Sequence, residues 1–330
     1  MLKLPDAWLW DFWFARQGDV HHVFYLQASR ALQDPDRRHL RACIGHSTST
    51  DLRSWTRQPD ALVHGDAPAF DQTATWTGSV VQGPDGRWYL FYTGLERTDR
   101  GLRQQIALAI SADLTTWERF GDRPVAVADP RWYSGLADSP QPWQDEHWRD
   151  PWVFADPGGD GWHMLITARA NHGPHDERGV IGHARSRDLL TWTVQPPLTE
   201  PGLGFGQLEV PQVAVVDGQA VLVFSCLGAE LRPRMRQQSP TGGTWAVAVA
   251  SLTGPYPVQE AVPLTDDSLY SGRLVQDGAG DWQLVAFHNR SADGRFIGEL
   301  SDPMPVTWAV RDGEPTRRVL AARTGAGPGT

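Results

Sequence analysis

The chain has 330 residues, a formal net charge of −9, 16 tryptophans, 33 glycines and 25 prolines. The acidic balance argues against a nucleic-acid partner, which calls for a basic face, and no apolar run approaches the length of a membrane span. Two cysteines, Cys43 and Cys226, are too few for a disulfide framework or a cysteine zinc site. The start, Met1-Leu-Lys-Leu-Pro-Asp, lacks the charged-then-apolar pattern of a signal peptide, so a soluble, cytoplasmic chain is expected.

Many glycines, prolines and aromatics suggest short strands joined by turns. No segment longer than about ten residues keeps a clean helical period. In chain order, an apolar strand, a Gly/Asp turn and a second apolar strand recur five times, beginning near Asp11, Gly78, Asp150, Glu209 and Ser271. The turns, such as Pro84-Asp85-Gly86 and Asp217-Gly218, are hairpin signals. A second phrase, Ser-x-Asp-Leu-x-x-Trp, ends at Trp55, Trp117 and Trp192. Asp51, Asp113 and Asp188 are expected to start turns by bonding their own backbone, with Leu and Trp buried against the next sheet. Each five-fold unit holds four short strands, the size of a propeller blade. The expected fold is therefore all-β: a single five-bladed β-propeller over residues 1–330, its four-stranded antiparallel blades set around a central channel, with no C-terminal β-sandwich. A two-sheet sandwich also has many short strands, but gives no reason for a blade-sized repeat.

In a propeller the first strand of each blade lines the channel, so residues at blade starts meet at one mouth. Asp11, Asp150 and Glu209 open three blades, each amid large apolar side chains. A carboxylate there is costly unless paired or hydrogen-bonded. One Asp beside a proline can merely shape a turn; three at blade starts predict an acidic, aromatic-walled pocket. Two carboxylates of different pKa flanking one bond is the arrangement of glycoside hydrolysis. Glu209, between Leu208 and Val210, is expected to be desolvated and hence a proton donor, and Arg149 to keep Asp150 ionised. Trp10, Trp76, Ser79, Arg149, Tyr270 and Arg273 are the candidate substrate-binding residues.

The sequence resembles glycoside hydrolase family 32, the β-fructosidases, within a clan of five-bladed furanosidases. Trp8 and Asp11 match the Trp and Asp of the family's W-x-N-D-P-x-G segment. Gly45-His46 with Asp51-Leu52 and Trp55 resembles its G-H-A-x-S-x-D-L-x-x-W strand. Phe70-Asp71 and Trp76-Thr77-Gly78-Ser79 resemble its Y-D and W-S-G-S stretch. Arg149-Asp150-Pro151, Thr167-Ala168-Arg169 and Glu209-Val210-Pro211 match R-D-P, G-A-R and E-C-P. The resemblance implies a retaining mechanism on β-fructofuranosides, sucrose or fructan-type, with fructosyl transfer open. In it Asp11 is the nucleophile, Glu209 the acid/base and Asp150 the transition-state stabiliser. The departures fall in the first motif, where Trp10 replaces an Asn and Phe12-Trp13-Phe14 follows the acid. An aromatic wall there is expected to alter the sugar subsite. The alternatives are an inverting arabinofuranosidase- or xylosidase-like clan relative, using the same acids, and a non-catalytic sugar-binding propeller.

No cofactor and no metal are expected; the partner is a small carbohydrate. His172-Gly-Pro-His175 reads as a loop, and Arg232, Arg234 and Arg236 as an exposed cationic cluster. Cys43 and Cys226 read as buried thiols.

Overall fold

The computed structural model describes residues 1–96, 99–138, 145–311 and 314–322. Among them the strands form five antiparallel sheets arranged in a ring, a five-bladed β-propeller. Blade 1 comprises Ala7–Gln17, Val20–Ser29, Cys43–Ser49 and Thr56–Arg57. Blade 2 comprises Ala74–Gln82, Trp88–Leu95, Gln104–Ser111 and Glu118–Arg119. Blade 3 comprises Trp148–Ala155, Trp162–Arg169, Gly179–Ser186 and Thr193–Gln195. Blade 4 comprises Glu209–Val216, Gln219–Leu227, Gly242–Ala248 and Val262–Pro263. Blade 5 starts with Leu269–Gln276 and Trp282–Arg290 and ends with Glu314–Ala322. Its third position is shared by two pieces, Phe296–Leu300 and Met304–Arg311, both paired with Trp282–Arg290. The Leu2 carbonyl accepts a hydrogen bond from Leu300 N–H at 2.9 Å, tying the first residues to blade 5. No helix among the described residues is long and apolar enough to cross a membrane.

The repeated phrase does what its chemistry predicts. Asp51 Oδ1 accepts from the N–H of Arg53 and Ser54 at 2.8 and 2.7 Å. Asp113 and Asp188 accept the matching pairs, and each also accepts from a serine hydroxyl two residues earlier. The turn throws Leu52, Leu114 and Leu189 into left-handed backbone, φ 60°, 64° and 67°, and buries them. That strain is tolerated because the buried leucine and the satisfied amides hold it. Trp117 then packs edge-on against Phe24 of blade 1, and Trp192 against Phe91 of blade 2. Replacing Asp188 with Ala is expected to cost about 1–2 kcal/mol, as for a lost helix N-cap, with turnover unchanged; chemical denaturation checks it.

Blades 1 and 3 each also hold a buried histidine pair between their second and third strands. His22 Nδ1 lies 3.0 Å from His46 Nε2, and His163 Nδ1 2.8 Å from His183 Nε2. Burial, then the partner imidazole, pushes His46 down to about 4 and His183 down to about 3. The folded chain therefore resists protonation where the unfolded chain, with imidazoles near 6.5, takes up protons. Stability is expected to fall as pH drops from about 6.5 towards 4. Replacing His183 by Gln should flatten that slope in a series of thermal melts; an unchanged slope would show that other groups set it.

Each first strand carries a β-bulge at the channel mouth, where its register against the second strand shifts by one. The shift falls at Asp11 in blade 1 and Thr77 in blade 2. It falls at Asp150-Pro151, Val210-Pro211 and Ser271-Gly272 in blades 3, 4 and 5. Asp11, Asp150, Val210 and Ser271 all have positive φ, 23°, 58°, 53° and 50°. A bulge bends the strand and re-aims its side chain, here towards the axis. The true repeat unit is thus the pair of residues at each bulge. Counted this way, the blade-start positions expected at Gly78 and Glu209 move to Thr77 and Val210.

Candidate active site

Five dipeptides, one from each blade, line a single cavity of about 250 Å³: Trp10-Asp11, Trp76-Thr77, Arg149-Asp150, Glu209-Val210 and Tyr270-Ser271. Asp11 and Asp150 occupy the bulge position itself. Glu209 comes from the position before it, so its carboxylate enters from a different point of the ring than a strict blade match predicts.

Neighbouring bulges hold the acids. Thr77 Oγ1 donates to Asp11 Oδ2 at 2.8 Å, and Ser271 Oγ to Asp11 Oδ1 at 2.5 Å. Both carboxylate oxygens are therefore pinned by the blades on either side. Burial, then the Asp150 charge, pushes the Asp11 carboxyl up to about 6, against the pull of the two hydroxyls. Asp150 Oδ2 accepts from Thr167 Oγ1 at 2.8 Å and from Val210 N–H at 3.2 Å. Its own N–H donates to Thr93 Oγ1 at 3.1 Å.

Arg149 spans the other two acids. Its Nη2 donates to Glu209 Oε1 at 2.7 Å, while its Nε lies 3.6 Å from Asp150 Oδ2. Burial alone would lower this guanidinium; Asp150, Glu209 and Asp145 outweigh it and hold the group above its ordinary value. The expectation that Arg149 serves Asp150 is thus half the account, since its shorter contact is with Glu209. Tyr270 Oη donates to the other oxygen, Glu209 Oε2. Burial first, then Glu209, raises that phenol well above its ordinary value. Glu209 therefore faces a cation and a hydroxyl rather than the apolar surround expected from its sequence neighbours; Leu208 is buried in the core.

Two candidate residues lie elsewhere. Ser79 is buried, and its Oγ accepts the Val153 N–H at 3.0 Å, joining blade 2 to blade 3. Arg273 is buried outside the cavity lining, bonded to backbone carbonyls. Both stand two residues past a bulge, so strand alternation carries them along the channel, away from its mouth. The aromatic wall is also smaller than expected. Phe12 and Trp13 are fully buried and absent from the lining; Trp10 alone of that run reaches it.

Other wall residues escaped the sequence reading. Arg38 and His39 come from the segment between the second and third strands of blade 1, and Asn289 and Arg290 from the end of a blade 5 strand. Trp10 and Trp76 both stand edge-on to His39, ring centroids 6.0 Å apart in each case, and Trp76 Nε1 donates to the His39 carbonyl at 2.7 Å. Burial, then Arg38 and Arg149, pushes His39 down to about 3, so it is neutral in the wall. Arg38 stacks over Phe296 at 3.9 Å. None of these belongs to a repeat; only Thr77 and Ser271, alike in repeat position to Asp11, were findable.

Outside the cavity, Arg232 pairs with Asp176 at 2.6 Å, and Arg234 and Arg236 bond backbone carbonyls, so the cationic cluster is tied down. His175 starts a short 3-10 turn. Cys226 is buried, whereas Cys43 is only partly so.

A five-bladed ring with carboxylates gathered at its channel mouth is an arrangement suited to a glycoside hydrolase. The chain belongs to glycosyl hydrolase family 32: the family profile, Glycosyl hydrolases family 32 N-terminal domain, matches residues 13–289, beginning just past Asp11. It is 32% identical over 192 residues to the sucrose-6-phosphate hydrolase of Bacillus subtilis (strain 168), covering 56% of this chain and 35% of that protein. It is 31% identical over 212 residues to the raffinose invertase of Escherichia coli, covering 62% and 38%. The chain thus spans little more than a third of the length of these relatives. Among solved structures, the inulosucrase from Halalkalicoccus jeotgali bound to kestose superposes with a TM-score of 0.74 at 22% identity, covering 94% of this chain and 88% of that one. The Microbacterium saccharophilum K-1 β-fructofuranosidase catalytic domain gives 0.72 at 17% identity, covering 97% and 83%. At these identities the likeness is one of fold.

Proposed function

We propose that this chain is a retaining glycoside hydrolase acting on β-fructofuranosides, with Asp11 as nucleophile, Glu209 as acid/base and Asp150 as stabiliser. The observation that carries the reading is the pinning of Asp11: two hydroxyls from flanking bulges fix both its oxygens, so one lone pair can be aimed at an anomeric carbon. In the first step Asp11 attacks C2 of the fructosyl unit as the C2–O bond breaks. The Glu209 proton passes to the leaving oxygen, and an ester to Asp11 results. In the second, Glu209 takes a proton from water, water attacks C2, and Asp11 leaves as carboxylate. An alcohol in place of that water gives fructosyl transfer. Arg149 and Tyr270 hold the Glu209 carboxyl in place through both steps. Asp150, fixed by Thr167 and Val210, faces positive charge developing at the ring oxygen and C2. Trp10, His39 and Trp76 offer apolar faces and edges to the sugar.

The test is incubation with sucrose, inulin, levan, difructose compounds and arabinofuranosides, with proton NMR of the first-formed anomer. Release of β-fructose before mutarotation is expected. An inverted product, or turnover of arabinofuranosides alone, points to the inverting clan relative instead; binding without turnover points to a lectin-like propeller.

A further inference from the structure

Arg273 is 1% exposed, and among the described residues no carboxylate lies within ion-pair distance of it. Its Nε donates to the carbonyl of Phe12 at 3.2 Å, and its Nη1 to the carbonyls of Val210 and Pro211 at 3.2 and 2.8 Å. Its guanidinium carbon sits 5.0 Å from the ring centre of Trp152. Phe12 directly follows Asp11. Val210 and Pro211 directly follow Glu209. Trp152 is two residues beyond Asp150. One side chain therefore touches the backbone or ring immediately behind all three acids.

We infer that Arg273 is a positioning residue: from below the cavity floor it clamps the segments behind Asp11, Glu209 and Asp150 and so sets the spacing of the acids, without touching substrate. The inference rests on the reading of those acids given above. A merely space-filling residue would be cheaper here as Leu or Met, because a buried cation loses its hydration and three carbonyls restore only part of it. The negative charge overhead, from Asp150 and Asp11, favours the cation but offsets only part of the remainder, so burial still holds the guanidinium below its ordinary value. The guanidinium fork also has a geometric use that a single ammonium lacks: its separate N–H groups reach two strands at once. A displacement of about 1 Å between reacting groups can cost about a hundredfold in rate, so a clamp on the bulges acts on kcat.

The experiment compares Arg273→Met and Arg273→Lys with the wild-type protein on sucrose, inulin and levan, folding being checked by circular dichroism. The Met variant is expected to lose about a hundredfold or more in kcat with KM within about threefold. The acid limb of its kcat/KM profile should move to higher pH, since a cation near Asp11 is gone. The Lys variant should regain about tenfold of the kcat and return the acid limb to its wild-type position. A raised KM with kcat kept means that Arg273 binds substrate, and overturns the inference; so do unchanged kinetics. If only the Lys variant folds, a kcat lowered at constant KM supports the clamp and an unchanged kcat overturns it. If neither folds, Arg273 is a core residue of the ring and the inference falls. Absence of turnover by the wild-type protein sinks the fructosidase reading itself, which is a different result from an active parent with unaffected variants.

Discussion

Asp11→Asn is expected to abolish turnover, by about ten-thousandfold or more, while making the protein more stable at neutral pH. The first effect follows from chemistry: an amide cannot form the glycosyl ester. The second follows from the Asp11 carboxyl being pushed up to about 6 by burial and by Asp150. A group whose folded pKa exceeds its unfolded value of about 3.9 is penalised in its ionised form on folding. Below about pH 4 it is protonated in both states and nothing is lost. The penalty grows between about pH 4 and 6 and is complete above that. Two units correspond to about 3 kcal/mol as an upper figure. The variant's melting temperature should therefore exceed the parent's by a few degrees at pH 7 to 8, and the gap should close near pH 4. Thermal melts across that range, with assays alongside, check both halves. Retained turnover would refute the assigned nucleophile, and a less stable variant at pH 7 would refute the charge argument. The same shift predicts that parent activity falls below about pH 6, where Asp11 takes up a proton.

Arg149→Met should do the opposite to stability. Arg149 bridges Glu209 and Asp150, and the side chains of all three are largely buried. Removing the partner they share leaves two carboxylates facing a third. Breaking a buried ion pair from one side typically costs about 3–5 kcal/mol. Turnover should fall by about a hundredfold or more, because Glu209 loses one of the two groups that orient it. Lysine should restore part of the stability but little of the rate, since one ammonium cannot span both acids as the guanidinium does. Denaturant titration and steady-state kinetics of the two variants decide this; a Met variant as stable as its parent would mean that the bridge adds nothing to folding.

Much of this was readable in the chain because the propeller repeats itself. Ser-x-Asp-Leu-x-x-Trp is legible since its Asp bonds amides two and three residues away, a purely local matter. The hairpin turns are local for the same reason. The ring then brings Asp11, Asp150 and Glu209 to one mouth as expected. What failed was local geometry at the bulges. Ser79 and Arg273 stand two residues past a bulge, so strand alternation carries them along the channel, below its mouth and into the interior. The bulge at Thr77 has no proline or glycine at its own position to announce it, and those at Asp11, Asp150, Val210 and Ser271 put non-glycine residues in left-handed backbone, which no propensity favours. Arg38, His39, Asn289 and Arg290 stand outside any period, placed by long-range packing alone.

The five bulges have a wider meaning. They turn the ring into a socket with ten numbered seats, two per blade, whose backbone is laid down independently of what sits there. Thr77 and Ser271 show that a hydroxyl can take a seat that two other blades give to a carboxylate. Exchange of side chains among these seats can therefore retune which sugar is welcomed, or what happens to it, while the scaffold behind them stays as it is.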